Sequence, residues 1–132
     1  MAELEFHEAR LQDQWRDANP GKVVPPALAR LRSWHCTIES RVVGHCEGDS
    51  MSGEIIGLSV VDAYRRQGIG TKLLSLLVEA LRAAGVPRVW LAIPSDRALP
   101  AYGFYTTVGW VPTGEHTRDG FEIWEPRTSL QS

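Results

Sequence analysis

Cysteine is scarce in this chain: Cys36 and Cys46 are the only two, too few for a disulfide framework. Long apolar runs are missing as well. The longest, Ile55–Val61 and Leu73–Val78, are too short and too interrupted to cross a bilayer. The opening Met1-Ala2-Glu3-Leu4-Glu5-Phe6 has neither a basic start nor an apolar stretch, so no signal peptide is expected. These absences predict a cytoplasmic protein with reduced thiols and no membrane partner. Positive charge is not in excess either. Fourteen Lys+Arg stand against sixteen Asp+Glu, a formal charge of −2, which argues against a nucleic-acid-binding face. Repeats, low-complexity tracts and linkers are also lacking. What is there is a 132-residue chain, 43% hydrophobic and 23% charged, the makeup of one ordinary soluble domain with one core.

Pro and Gly punctuate the chain at Asn19-Pro20-Gly21, Pro25-Pro26, Gly48 to Gly53, Gly85-Val86-Pro87 and Pro94. Residues 1–33 are weakly patterned. Glu3 to His7 alternates like a short strand, while Leu4, Leu11, Trp15 and Ala18 suit one face of a helix, expected over 8–18. A short helix is expected from Pro26. Trp34–Glu39 and Val42–Cys46 are rich in β-formers and read as a hairpin turning at Ser40-Arg41. Glu54–Val61 reads as a strand that is apolar on both faces, hence central. From Gly68 to Ala84 the polar residues Lys72, Ser75, Glu79 and Arg82 form one stripe on an apolar cylinder, the clearest helix in the chain. Gly85 caps it and Pro87 stops it. A strand over Arg88–Ile93 follows, then a helix from Pro100 to Val108 closed by Gly109, then strands at Trp110–Thr113 and Phe121–Glu125. Strand, turn, helix and strand in that order normally make two parallel strands. The fold class expected is α/β, with a mixed sheet whose ends are antiparallel.

The chemistry points to Tyr64-Arg65-Arg66-Gln67-Gly68-Ile69-Gly70-Thr71, between a strand and the long helix. A helix N-terminus offers free N–H groups and a positive dipole end to an anion. Gly68 and Gly70 allow a ligand close to the backbone, and Arg65 and Arg66 add charge. Such a turn suits a pyrophosphate. The dinucleotide fingerprint would need Gly where Leu73 stands, and a P-loop would need Lys before Thr rather than Gly70-Thr71-Lys72.

These residues resemble a known family. Arg65-x-x-Gly68-x-Gly70 is similar to the [QR]-x-x-G-x-[GA] signature of the GCN5-related N-acetyltransferases (GNAT), which bind acetyl-coenzyme A. Leu58-x-Val60-x-x-x-Tyr64-Arg65 resembles the family's L-x-V-x-P-x-Y-R approach, with Asp62 in place of Pro. Ala101-x-x-Phe104-Tyr105-x-x-x-Gly109-Trp110 resembles its A-x-x-[FL]-Y-x-x-x-G-[FW] segment. The likeness runs from Trp34 to Glu125. It implies the GNAT fold: a mixed central β-sheet, mostly antiparallel with a parallel, splayed central pair, flanked by helices. It also implies a single N-acetyltransferase domain over residues 1–132, with 1–33 a short helical region on the acceptor side.

The resemblance implies roles as well. Leu58, Ser59 and Val60 would line the pantetheine arm, with Leu58 and Val60 pairing to its amides like an added strand. The pyrophosphate would sit on the N–H groups of about Gln67, Gly68, Ile69, Gly70 and Thr71, with Arg65 and Arg66 as further cofactor-binding residues at the rim. Lys72 or Arg66 would meet the 3′-phosphate. Ala98 stands where the family often has Asn, and Ser95 is the candidate to supply that contact. Tyr105 resembles the general acid that protonates the departing thiolate. Glu54 is the candidate base, acting directly or through a water; it lies six residues before Val60, so strand alternation puts it on the face of Ile56, Leu58 and Val60. Glu39 and Glu47 are alternatives.

His35-Cys36 and His45-Cys46 invite a zinc reading. Neighbours on a strand point to opposite faces, so four ligands cannot converge in a flat hairpin. A buried Cys and a half-exposed His in each strand are expected instead, and no metal. His7 and His116 have no visible partners. Among the five Trp, Trp90, Trp110 and Trp124 are expected in the core or on a dimer surface, so a homodimer is among the assemblies the sequence allows. Trp15 and Trp34 fall near the expected acceptor region. The function expected is acetyl transfer from acetyl-CoA to a primary amine of a small molecule or peptide, in a ternary complex, since no Ser or Cys has an obvious activating His. The alternative is an acetyl-CoA-binding sensor or assembly module with little catalysis. Another acyl-CoA donor stays open.

Overall fold

In a computed structural model of the chain, residues 2–127 are described. Polar–apolar alternation prevails at the start: β1 (Leu4–Ala9) takes the first two residues of the expected helix, and α1 spans only Leu11–Ala18. Then come α2 (Pro26–Ala29), β2 (Leu31–Ile38), β3 (Arg41–Asp49), β4 (Ile55–Val60), α3 (Ile69–Ala83), β5 (Leu91–Ile93), α4 (Pro100–Thr107), β6 (Trp110–His116) and β7 (Glu122–Pro126). The chain forms two compact units that divide between Arg88 and Val89.

The first unit is a four-stranded antiparallel sheet, ordered β1-β2-β3-β4, with α3 packed on β2, β3 and β4. The hairpin between β2 and β3 turns at Glu39-Ser40, one residue earlier than expected. Both residues have positive φ, 49° and 67°, as the tight two-residue turn that matches strand twist requires. Further along, Cys36 faces Gly44 but Thr37 faces Val42. Val43 is therefore an extra residue, a bulge, and the slip sets His35 opposite His45. Helix α3 buries Ile69, Leu73, Leu74, Leu77 and Leu81 and leaves the Lys72, Ser75, Glu79 and Arg82 stripe exposed. It can lie close because β3 offers Gly44 and Gly48. A Cβ on Gly44 would stand 2.8 Å from Ile69 Cγ2, and one on Gly48 3.0 Å from Leu81 Cδ1.

Two expectations about the sheet are overturned. Strand β4 is not central; it is an edge strand. Its apolar residues serve the α3 side, where Ile55 is buried, and Ile56 is left 49% exposed. The parallel, splayed pair is not found either. β4 pairs antiparallel with β3, β5 pairs antiparallel with β7, and every ladder is antiparallel. A strand–helix–strand run gives parallel neighbours only when both strands join one sheet. Here β5 has three residues, and β7 takes up its ladder in a separate sheet.

The second unit is that other sheet, ordered β5-β7-β6, with α4 against β6. Leu91, Ile93, Tyr102, Tyr105, Trp110 and Trp124 are buried. Trp110 and Trp124 are thus core residues, not a dimer surface. Pro100 opens α4 at its first turn, and Gly109, with φ of 90°, follows its end.

Candidate active site

The site begins on the backbone of β4. The Val61 N–H donates to the Val43 carbonyl at 2.8 Å. In an antiparallel ladder hydrogen-bonded pairs alternate, so Ser59, opposite His45, also points its backbone groups at β3. Leu58 and Val60 turn theirs the other way, toward the edge. That is the polarity needed to take on an added strand. Arg65 Nε already uses this side, donating to the Val60 carbonyl at 3.3 Å.

A 3-10 turn at Asp62–Tyr64 leads into the loop before α3. Asp62 and Arg65 bridge across it at 3.1 Å, both largely exposed. Arg65 thus braces the loop instead of standing free at its rim. Arg66 and Gly68 both have positive φ, 64° and 79°. Gly68 is the N-cap of α3, and no side chain caps the helix there. Arg66, Gln67, Gly68 and Thr71 are exposed, Gly70 is half-buried and Ile69 is buried in the core. Lys72 Nζ stands 5.6 Å from the centre of the Phe6 ring, so its charge is directed to β1.

A second bulge decides where Glu54 goes. Glu47 faces Gly57 but Gly48 faces Ile55, which leaves Ile56 as the extra residue of β4. Cross-strand partners share a face. Ile55, Leu58 and Val60 therefore face α3 with Gly48, Cys46 and Gly44, while Glu54 falls on the opposite face with Asp49 and Glu47. The expected face-sharing of Glu54 with Leu58 and Val60 is overturned, because the alternation behind it does not survive a bulge. Burial and the charge of Asp49 raise the Glu54 carboxyl above its ordinary value of 4.5. Asp49 itself is held low. Burial opposes its ionisation, but the N–H groups of Ser52 and Met51 and the Arg30 guanidinium outweigh it. Arg30 grips both Asp49 oxygens, at 2.8 and 3.2 Å.

The same face carries a row of imidazoles. His7 pairs with His35, His35 with His45 and His45 with Ser59, one residue from each strand. Ring centres lie 6.1 Å apart for His7 and His35 and 5.8 Å apart for His35 and His45. His45 Nδ1 is 3.4 Å from Ser59 Oγ, and His45 Nε2 is 3.9 Å from Glu47 Oε2. Burial, then His45 and His7, lower the His35 pKa from its ordinary 6.5. An open cavity of about 310 Å³ lies here, walled by His35, His45, Ser59, Val42, Val43 and Val61. The two cysteines take the other face and are fully buried. Burial pushes the Cys46 thiol up to about 12. Among the described residues no group of three or more His, Cys, Asp or Glu could hold a metal ion.

In the second unit Tyr105 is buried between Phe104 and Trp110, with ring centres at 5.1 and 5.8 Å. Ser95 is exposed and donates to the Gly120 carbonyl at 3.2 Å. The Tyr102 hydroxyl donates to Glu122, a pair that raises the phenol and lowers the carboxyl.

Residues 3–110 match the acetyltransferase (GNAT) family. The chain belongs to that family. Similar solved structures include N-acetyltransferases. The PaiA N-acetyltransferase of Thermoplasma acidophilum, solved with coenzyme A, has a TM-score of 0.69 at 14% identity, covering 96% of this chain and 99% of that one. An aminoglycoside 6′-N-acetyltransferase complexed with coenzyme A has 0.61 at 17%, covering 95% and 99%. A GNAT acetyltransferase of Staphylococcus aureus Mu50 has 0.63 at 14%, covering 94% and 98%. At these identities the likeness is one of fold. No curated protein matches the sequence. Among the described residues no helix is long and apolar enough to cross a membrane.

Within this GNAT chain the structure joins Leu58, Val60 and residues 65–71 into one continuous run of strand edge, loop and helix start. It adds two groupings that sequence reasoning missed. The Tyr102–Glu122 pair spans 20 residues and left no local signal. His45, Glu47 and Ser59 did leave one. His45 and Glu47 are two apart on a strand, which sets them on one face, but Ser59 joins them only through the β3–β4 register.

Proposed function

We propose that this protein is an acetyl-CoA-dependent N-acetyltransferase that passes the acetyl group directly to a primary amine, working in the cytoplasm as one N-acetyltransferase domain. One observation carries the reading: the outward backbone groups of Leu58 and Val60 are followed, after one short loop, by the α3 N-terminus, which no side chain caps. The pantetheine arm carries amides that pair with a strand edge. The pyrophosphate is an anion suited to free N–H groups at a helix start. A Cβ on Gly68 would meet nothing within 4 Å, so the backbone there is open to approach. Arg66, exposed at positive φ, is the better candidate for the 3′-phosphate, since Lys72 lies against Phe6.

The reaction needs two proton movements. An alkyl ammonium, with a pKa of about 10.4 for a lysine-like group, must lose a proton before it attacks. Glu54 is the candidate acceptor, directly or through a water, and its raised pKa suits that role. The amine nitrogen then bonds to the thioester carbon and the C–S bond breaks. Tyr105 supplies the proton that the departing thiolate, with a thiol pKa of about 8.5, takes up, and regains one in exchange from the nitrogen, which sheds its second proton as the amide forms.

Calorimetry with acetyl-CoA, and thiol release from acetyl-CoA over a panel of primary amines, test the proposal. Binding followed by amine-dependent thiol release is expected. Binding without turnover would leave a sensor. Tyr105→Phe removes only a hydroxyl. It should retain cofactor affinity and lose about 10²–10⁴-fold in rate when chemistry limits. Unchanged turnover would remove Tyr105 from the mechanism.

A further inference from the structure

The cavity beside β4 has a chemistry of its own. Its polar wall is His35, His45 and Ser59, and its apolar wall includes Val42 and Val61, 50% and 49% exposed. Ser59 sits between Leu58 and Val60, the residues assigned above to the donor. Its hydroxyl belongs to the face away from α3, where Glu54 also falls. Behind it lies His45, and behind His45 lies Glu47, at 3.4 and 3.9 Å. A carboxylate beside Nε2 favours the tautomer with its proton there. That leaves Nδ1 as an acceptor aimed at the Ser59 hydroxyl. Such contacts are often long before substrate binds and tighten in the complex.

We propose that His45 fills the place given above to Glu54 as proton acceptor for the acetyl-transfer step, taking the ammonium proton through the Ser59 hydroxyl, with Glu47 as its positioning residue and the cavity as the seat of an amine with an apolar substituent. The inference rests on the N-acetyltransferase reading above. In this step the ammonium N–H bond breaks and its proton goes to Ser59 Oγ. The Ser59 proton moves to His45 Nδ1, and the serine hydroxyl is regenerated. The imidazolium faces Glu47 and later releases one proton to solvent. The free amine is left with its electron pair. Imidazole suits the task because it exchanges a proton near neutrality.

The titratable groups that face His45 are His35 on β2, with His7 behind it on β1, and Glu47 on β3 itself.

The test uses methylamine, butylamine, 2-phenylethylamine and lysine as acceptors with acetyl-CoA. 2-Phenylethylamine and butylamine should give the higher kcat/KM. His45→Gln should lower kcat about 10²-fold near neutrality, with partial recovery as pH rises and the amine deprotonates, and with acetyl-CoA affinity unchanged. Ser59→Ala, an exposed and conservative change, should act in the same direction if His45→Gln folds poorly. Nitrogen-detected NMR of the free protein should find the Nε2–H tautomer at His45, and Glu47→Gln should weaken that tautomer preference and lower kcat with acetyl-CoA affinity unchanged. Amine turnover with superimposable profiles for wild type, His45→Gln and Ser59→Ala would overturn this inference alone. Acetyl-CoA binding with no thiol release for any amine would overturn the transferase reading, and this inference with it.

Discussion

Gly53 shows how a single residue fixes the connection before β4. Its φ is +81°, and an added Cβ would lie 1.7 Å from the Arg88 carbonyl oxygen. That neighbour is backbone and cannot swing aside. Gly53→Ala should therefore cost about 3 kcal/mol, the upper end of ordinary overpacking, read as a lower denaturant midpoint. Glu54, one residue on, carries a different load. Its pKa is raised by burial and by Asp49, so the fold favours its neutral form. The cost of the charge is absent below the ordinary value of 4.5, grows as pH rises through the folded pKa and is complete at neutrality. Glu54→Gln should thus be more stable than wild type at pH 7, with the difference gone in acid. Denaturation at pH 7 and pH 4 checks it, and a variant less stable at pH 7 would contradict the burial argument.

At the scale of elements, the decisive unit is β4 with α3. The helix was legible in the sequence because its apolar face and polar stripe keep one period for four turns. Its start was legible too, since two glycines and two arginines break that period. The strand was legible as a strand but not as an edge, because an apolar run looks the same with one neighbour as with two. Gly68→Val tests the junction. The site offers room for the side chain, with nothing within 4 Å, but φ of +79° does not suit a β-branched residue. The α3 start should distort and acetyl-CoA affinity should fall, measured by calorimetry on protein whose helix content is unchanged. Equal affinity would place the pyrophosphate elsewhere.

At the scale of the whole molecule, each of the two units has its own sheet, and the first carries the histidine row. His35 has its pKa lowered by burial, His45 and His7. Above its ordinary 6.5 both folded and unfolded chains hold it neutral, and it contributes nothing. As pH falls below that value the unfolded chain gains the proton first, so stability drops until the folded pKa is reached. His35→Gln should flatten the loss of stability between pH 7.5 and 5, followed by urea unfolding. An unchanged slope would show that the row is not electrostatically coupled.

The sequence by itself determined the elements, the helix that follows the loop, and the family, because each depends on local period or on a short motif. It also determined that Cys36 and Cys46 would be buried and His35 and His45 half-exposed, since alternation separates neighbours. Tertiary structure alone decided what crosses the sheet. The bulges at Val43 and Ile56 each add one residue to one strand, and one residue is enough to change every partner and face beyond it. They set His45 against His35 and carried Glu54 to the face of Asp49 and Glu47. The antiparallel pairing of β5 with β7 was decided in the same way, by which strand edge was available to it and not by anything in the residues of β5.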